Sequence, residues 1–221
     1  MKSTIAASGL LALSFAIQPC FAAYAIASNF QASGPAIRQA SGSCPVEPEA
    51  AAPAQAKSPI IYSTFHHDSA QLYAVGISWV VSGKKSFDQT TYGLAMPFTS
   101  SVDSTIAKVK LGLNLLEGEN AMTVSIHADV NGMPGETLKQ FTVTSLPDVP
   151  ICPMVKTIGG VSVHAGSQYW LMVMPTHKNS STYGGWNFSE YEGANTPFAH
   201  FINGVWQLDS GPAAAFEIVG D

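Results

Sequence analysis

The sequence predicts an all-β protein, an antiparallel β-sandwich, on three observations. Apolar residues recur with a two-residue period in short segments from Ile60 onward. Gly, Pro, Asn and Ser fall between those segments at spacings of about ten residues. No helical periodicity of useful length follows the amino-terminal segment. Period two sends successive side chains to opposite faces of a pleated strand, so each segment needs one covered face and one wet face, and two stacked antiparallel sheets supply both.

Residues 1–25, MKSTIAASGLLALSFAIQPCFAAYA, carry one cation at Lys2, an uncharged apolar stretch from Ile5 to Ile17, a helix-breaking Gln18-Pro19 pair and then small residues. That is the layout of a secretory signal peptide, with cleavage after Ala22 or Ala25. An uncleaved anchor is the competing reading, because no charge occurs between Ser3 and Ile37; Ala, Ser and the interrupting Pro19 weigh against it. Gln18-Pro19 before Cys20 is a poor match to a lipobox. Residues 26–59 are rich in Pro, Ala and Ser, with almost no large apolar side chain after Phe30, so they bury too little surface to offset their ordering entropy and read as a linker.

The β-sandwich domain occupies 60–221. Strands are expected from Ile60 to Phe65, Gln71 to Val81 and Tyr92 to Phe98. In the next, Thr105 to Leu115, Ala107, Val109, Leu111, Leu113 and Leu115 alternate with Lys108, Lys110, Gly112 and Asn114. Ala121 to Asp129 repeats the pattern, and Leu138 to Thr144 and Met154 to His164 follow. Gln168 to Pro175 is apolar on both faces, as a central strand is. Tyr183 to Phe188, Pro197 to Ile202, Val205 to Leu208 and Ala214 to Val219 complete the set. Asn203-Gly204 suits the two positive φ angles of a type I′ hairpin. Asn131-Gly132 with Pro134-Gly135 predicts a second, longer turn.

Composition narrows the function. Apolar residues make up 46% of the chain, enough to fill a core, and charged residues only 11%, which excludes coiled coils and solvated disordered chains. The formal net charge is −5 and Arg38 is the sole arginine, so no electrostatic footprint for nucleic acid exists. No second apolar run approaches the length of a membrane span, so a secreted or periplasmic protein is expected once the signal is removed.

SxxxTIAKVKLGL, NAMTVSIHADVNGMPGETL, VSVHAGSQYWLMV, YGGWNFSEYEG and the terminal AFEIVG occur in an order and spacing that together resemble the bacterial "choice-of-anchor R" type of extracellular domain. The resemblance runs from Tyr62 to Asp221. It implies a jelly-roll-like β-sandwich on secreted or surface-attached bacterial proteins, and it implies no established catalytic activity. The sequence departs from the pattern in one respect, since the carboxyl-terminal anchoring segment that names the group is missing before Asp221, which puts surface attachment in doubt.

Catalytic signals are thin. There is no GxSxG elbow. His66-His67-Asp68 offers metal-ligand types, but neighbouring strand residues point to opposite faces, which favours surface polar residues. His127, His164, His177 and His200 stand singly. Glu117 with Glu119, and Glu190 with Glu192, are carboxylate pairs that could flank a glycosidic bond. Asp129, Asn131 and Glu136 superficially resemble a calcium loop but are too few and too close; a plain turn is favoured. No cofactor is expected.

Aromatic density near the carboxyl end points to binding instead. Aromatic faces with neutral hydrogen-bonding groups suit a glycan, whose apolar sugar faces stack on rings while hydroxyls pair with amides and carboxylates. Trp170 and Phe188 belong to strand-like core segments. Trp186, Tyr191 and Trp206, with Tyr183 and Glu190, are the candidate ligand-binding residues, because they neighbour Gly184-Gly185, acidic loop positions or the Asn203-Gly204 hairpin. The alternative is that the rings simply pack the sandwich. The expected function is a non-catalytic extracellular module that binds a glycan or other surface polymer; self-association as a matrix component and hydrolysis by the acidic loop residues are the competing readings. Beyond the signal, Cys44 and Cys152 form an even pair in an oxidising compartment, and a disulfide between them is expected; two free thiols and an intermolecular link through Cys44 are the competing readings.

Overall fold

The computed structural model describes residues 58–67, 71–190 and 195–221. These form thirteen strands and no helix, and every strand pairing is antiparallel. The smaller sheet runs β1 (Ile60–Ser63), β13 (Phe216–Gly220), β4 (Ser104–Leu111), β8 (Met154–Val163). The larger runs β5 (Leu113–Glu117), β10 (Tyr183–Asn187), β2 (Ser78–Ser82), β3 (Tyr92–Thr99), β9 (Gln168–Pro175), β6 (Ala121–Val130), β7 (Met133–Thr144). In addition β11 (Thr196–Ile202) pairs with β3 and with β12 (Val205–Gly211). The expected antiparallel β-sandwich is the architecture observed. Residues 1–57, with the expected signal peptide and linker, lie outside the described residues.

One apolar core fills the space between the sheets. Ile106, Val109, Leu111 and Phe216 enter it from the smaller sheet and Leu94, Phe98, Val124 and Leu171 from the larger. β9 lies between β3 and β6 and is buried on both faces, as its unbroken apolar run predicts. Tyr169, Leu171 and Val173 face the core, whereas Trp170 and Met172 lie on the opposite face of the sheet in a second cluster with Ala95 and Ala199.

Three expectations are corrected. The single strand from Thr105 to Leu115 is two strands in different sheets, β4 and β5, with Gly112 at the crossing. A Cβ on Gly112 would lie 3.0 Å from the Ala215 methyl and 3.1 Å from the Tyr73 ring. Its backbone is held there by its N–H to the Ala215 carbonyl (2.9 Å) and by the Asn187 backbone and side-chain amides, which both donate to its carbonyl. Asn114, expected to be wet, is buried and accepts from the same Asn187 side chain. Second, the strand expected from Gln71 is confined to β2, because Gly76 turns the chain into the left-handed region (φ 88°). Third, the β6–β7 turn is tight rather than long: Val130 pairs with Met133 across Asn131 (φ 55°) and Gly132 (φ 77°), and Pro134 and Gly135 belong to β7. Asn203 (φ 48°) and Gly204 (φ 104°) close the β11–β12 hairpin as expected.

Candidate functional site

Sheet register gathers four connections at one end of the larger sheet. Ser82 pairs with Tyr92 and with Tyr183, and Tyr92 pairs with Ile202. Met122 pairs with Pro175, and Glu117 with Tyr183. The β2–β3, β5–β6, β9–β10 and β11–β12 connections therefore meet, although their residues are far apart in sequence.

Hydrogen bonds lock them together. The backbone N–H groups of Gly83, Lys84 and Lys85 donate to the carbonyls of Thr182 (3.0 Å), Lys178 (2.7 Å) and Ser180 (3.0 Å). The Thr91 N–H donates to Asn203 Oδ1 at 3.1 Å, and the Asn203 N–H returns a bond to the Thr91 carbonyl at 2.9 Å. Glu119 accepts from Thr176 Oγ1 (2.7 Å) and Ser180 Oγ (2.8 Å), bonds that hold its carboxyl below the ordinary carboxylate value. Between these connections lies an open cleft of about 630 Å³, lined by Lys84, Thr91, Lys178, Asn179, Phe201, Asn203 and Gly204. Its size is that of a small-ligand site. Phe201 continues the cleft onto the outer face of the hairpin, where its ring meets Trp206 at 5.3 Å between centroids, tilted by 59°.

The residues expected to bind a ligand are not brought together. Trp186 is the clearest correction. It is fully buried in the core, and its indole N–H donates to the Ala215 carbonyl at 2.9 Å. The neighbouring Gly184 and Gly185 do not mark an exposed loop: a Cβ on Gly184 would strike the Asn114 carbonyl and Met122, and one on Gly185 would strike Ser78. Glycine there permits close strand approach. Tyr183 is half-buried beside the exposed Phe87 ring, 6.0 Å away; burial, then Asp88 and Glu117, push its phenol up. Glu190 is exposed and lies 3.9 Å from His66. Tyr191 and Glu192 lie outside the described residues. Trp206 does not line the cleft but packs behind its Phe201, half-buried between that ring and the outer cluster of Met172 and Trp170. Trp170 is buried as expected, but on that outer face, where its N–H donates to Asp129 at 2.7 Å.

The other chemical candidates resolve into structural roles. His67 is exposed, as expected, and its ring lies 2.6 Å from the buried carboxylate of Glu217; Asp68 is outside the described residues. Lys110 approaches the other Glu217 oxygen at 2.8 Å, and Ser63 donates to the carboxylate at 3.2 Å. Ser63 also contacts His67, but through the same Nε2 that faces Glu217. A catalytic triad needs the two ring nitrogens in separate roles, so this group is not one. Asp129 spends its carboxylate on Trp170, Gln168 and the Gly132 N–H, the bonds of a stapled turn. Glu119 is held ionised, the opposite of what a glycosidic general acid requires. Among the described residues no three His, Cys, Asp or Glu side chains gather to hold a metal ion, and no helix is long and apolar enough to cross a membrane. Cys152, in the loop before β8, is not a free thiol, while Cys44 lies outside the described residues.

Sequence reasoning missed Lys84, Thr91, Lys178 and Asn179, and took Asn203 only as a turn former. The Lys84-Lys85 pair inside a Gly, Ser and Thr-bearing connection is the one signal that points there. Fold and cleft together describe a β-sandwich domain with an open cleft at one end of its larger sheet. Compared with known proteins, the chain matches no family model and no curated protein.

Proposed function

We propose that this protein is a non-catalytic extracellular module, secreted or periplasmic and of the choice-of-anchor R type, that binds a glycan or similar surface polymer in the cleft around Phe201. The observation that carries the reading is the composition of that cleft: one aromatic ring, backed by Trp206, beside the neutral side chains of Thr91, Asn179 and Asn203. A sugar ring stacks its apolar face on such a ring and offers hydroxyls to the amides. The Cys44–Cys152 disulfide belongs to the same proposal, since it would tie the linker to the sandwich. Retention on a polysaccharide array, lost in Phe201→Ala, tests the binding; no retention on any polymer, with unchanged tryptophan fluorescence, refutes it.

One observation favours a second reading, assembly through a sheet edge. Among the described residues β12 pairs only with β11, and its Val205 and Leu208 are 56% and 55% exposed. An open edge carrying apolar side chains is a template for another strand. Sedimentation decides the matter, because a strict monomer at high concentration removes this reading.

A further inference from the structure

We infer that the polymer is acidic, and that the cleft holds the carboxylate of a uronate residue between Lys84 and Lys178. The inference rests on the reading of the cleft as a glycan site and specifies its chemistry. The backbones of two lysines are fixed beside one another, and both residues line the cleft: the Lys84 N–H donates to the Lys178 carbonyl at 2.7 Å, and Thr91 Oγ1 donates to that same carbonyl at 3.1 Å. Among the described residues neither ammonium has an ion-pair partner, on a chain whose formal net charge is −5. The carboxylates on the adjoining connections stay anionic but are directed to other donors than the two lysines. Asp88 accepts from Ser86 (2.6 Å), Ser82 (3.1 Å) and the Thr90 N–H (3.1 Å), and Glu119 from Thr176 and Ser180. Neighbouring like charges disfavour each other until an anion lies between them.

The rest of the lining points the same way. Asn203 uses its Oδ1 as the acceptor for the Thr91 N–H, which leaves its amide nitrogen to donate. The cleft is therefore rich in donors, with Phe201 as an apolar platform. A uronate residue matches both properties, since its ring has an apolar face and its C6 carboxylate is a strong acceptor. A neutral sugar would leave the lysine pair uncompensated. A polyanion without rings would leave Phe201 unused.

The test compares polygalacturonate and alginate, each beside its esterified form, by titration calorimetry with the full chain. Both acidic polymers are presented because they differ in sugar and share the carboxylate. At least one is expected to bind about tenfold more tightly than its ester, and Lys84→Met with Lys178→Met to abolish that difference. Lys139→Met with Lys156→Met, exposed lysines on β7 and β8, serves as the control pair and is expected to change nothing. Equal thermal midpoints establish that both double variants fold. Equal affinity for acid and ester, an equal loss in the control pair, or equal binding of polyglutamate overturns the inference. Retention of neutral glycans without acid preference overturns it while leaving the cleft reading intact; retention of no glycan at all overturns both.

Discussion

Asp129 carries a stability prediction that the structure allows to be worked through. Its Oδ1 accepts from the Trp170 indole at 2.7 Å and from Gln168 at 2.8 Å, and its Oδ2 accepts from the Gly132 N–H at 3.1 Å. In Asp129→Ala the exposed Gln168 finds water, and the half-buried Gly132 N–H does so in part. The Trp170 ring is 1% exposed, so its N–H is left without an acceptor, at about 1–3 kcal/mol. With the lost charge-assisted bonds, Asp129→Ala is expected to cost about 2–4 kcal/mol. Asp129→Asn keeps Oδ1 as an acceptor but turns an NH₂ toward Gly132, and about 1–2 kcal/mol is expected. The pH dependence has a definite sign. Desolvation raises the Asp129 pKa, but the bonds from Trp170, Gly132 and Gln168 outweigh it and the carboxyl titrates below its ordinary 3.8. A depressed folded pKa contributes stability that is present above the unfolded value and lost as pH falls through the folded one. Urea unfolding of wild type and Asp129→Asn at neutral pH and in acid should therefore show the gap between them narrowing below about pH 4. A loss for Asp129→Ala smaller than about 0.5 kcal/mol, or a gap independent of pH, refutes the reasoning.

Three further outcomes are expected. Trp79, Trp170 and Trp186 are buried and Trp206 is half-buried, so Trp206→Phe should remove most of the iodide-quenchable fluorescence, and a bound polymer should protect what wild type shows. Gly112→Ala drives a methyl against Ala215 and the Tyr73 ring at the sheet crossing and should cost about 1–3 kcal/mol, read as a lower urea midpoint at unchanged slope. Non-reducing peptide mapping of the secreted protein should yield a linked Cys44–Cys152 peptide, whereas two separately alkylatable thiols overturn that pairing.

Strand identity was legible wherever one face met the core and the other met water, as in β8, where Val161 and Val163 are buried and Ser162 between them is exposed. The sheet to which a strand belongs was not. Val109 and Leu111 lie in one sheet and Leu113 and Leu115 in the other, yet all four enter a single core. A chain that turns a sandwich corner keeps its two-residue period, so the alternation from Ala107 to Leu115 carries no mark of the crossing. Only Gly112 hints at it, and a glycine in a strand reads equally well as a bulge or a close approach. The same ambiguity surrounds Trp186: glycines beside a tryptophan read as an exposed loop, whereas they admit neighbouring strands so closely that the indole has no route to solvent.

The cleft was illegible for a different reason. Lys84, Lys178 and Asn203 lie on three connections, and each taken alone is an ordinary polar residue between strands. What unites them is register. Once Ser82, Tyr92, Tyr183 and Ile202 are neighbours at one end of the larger sheet, the segments that follow or precede them have no space to occupy except the same one. Local pattern specifies which face of a strand is buried but not which strands become neighbours, because pairing between distant segments is decided by the core they jointly fill. The aromatic residues show the consequence. Phe201 and Trp206 sit on facing strands of one local hairpin, pinned by Asn203-Gly204, so their partnership could be inferred from the turn alone. The partnership of Phe201 with Lys84 and Lys178 depends on β3 pairing with both β9 and β11, long-range contacts that no two-residue period announces. A single substitution that shifted the β3–β11 register by one residue would turn Phe201 to the core face and His200 outward, removing the platform while leaving both lysines in place.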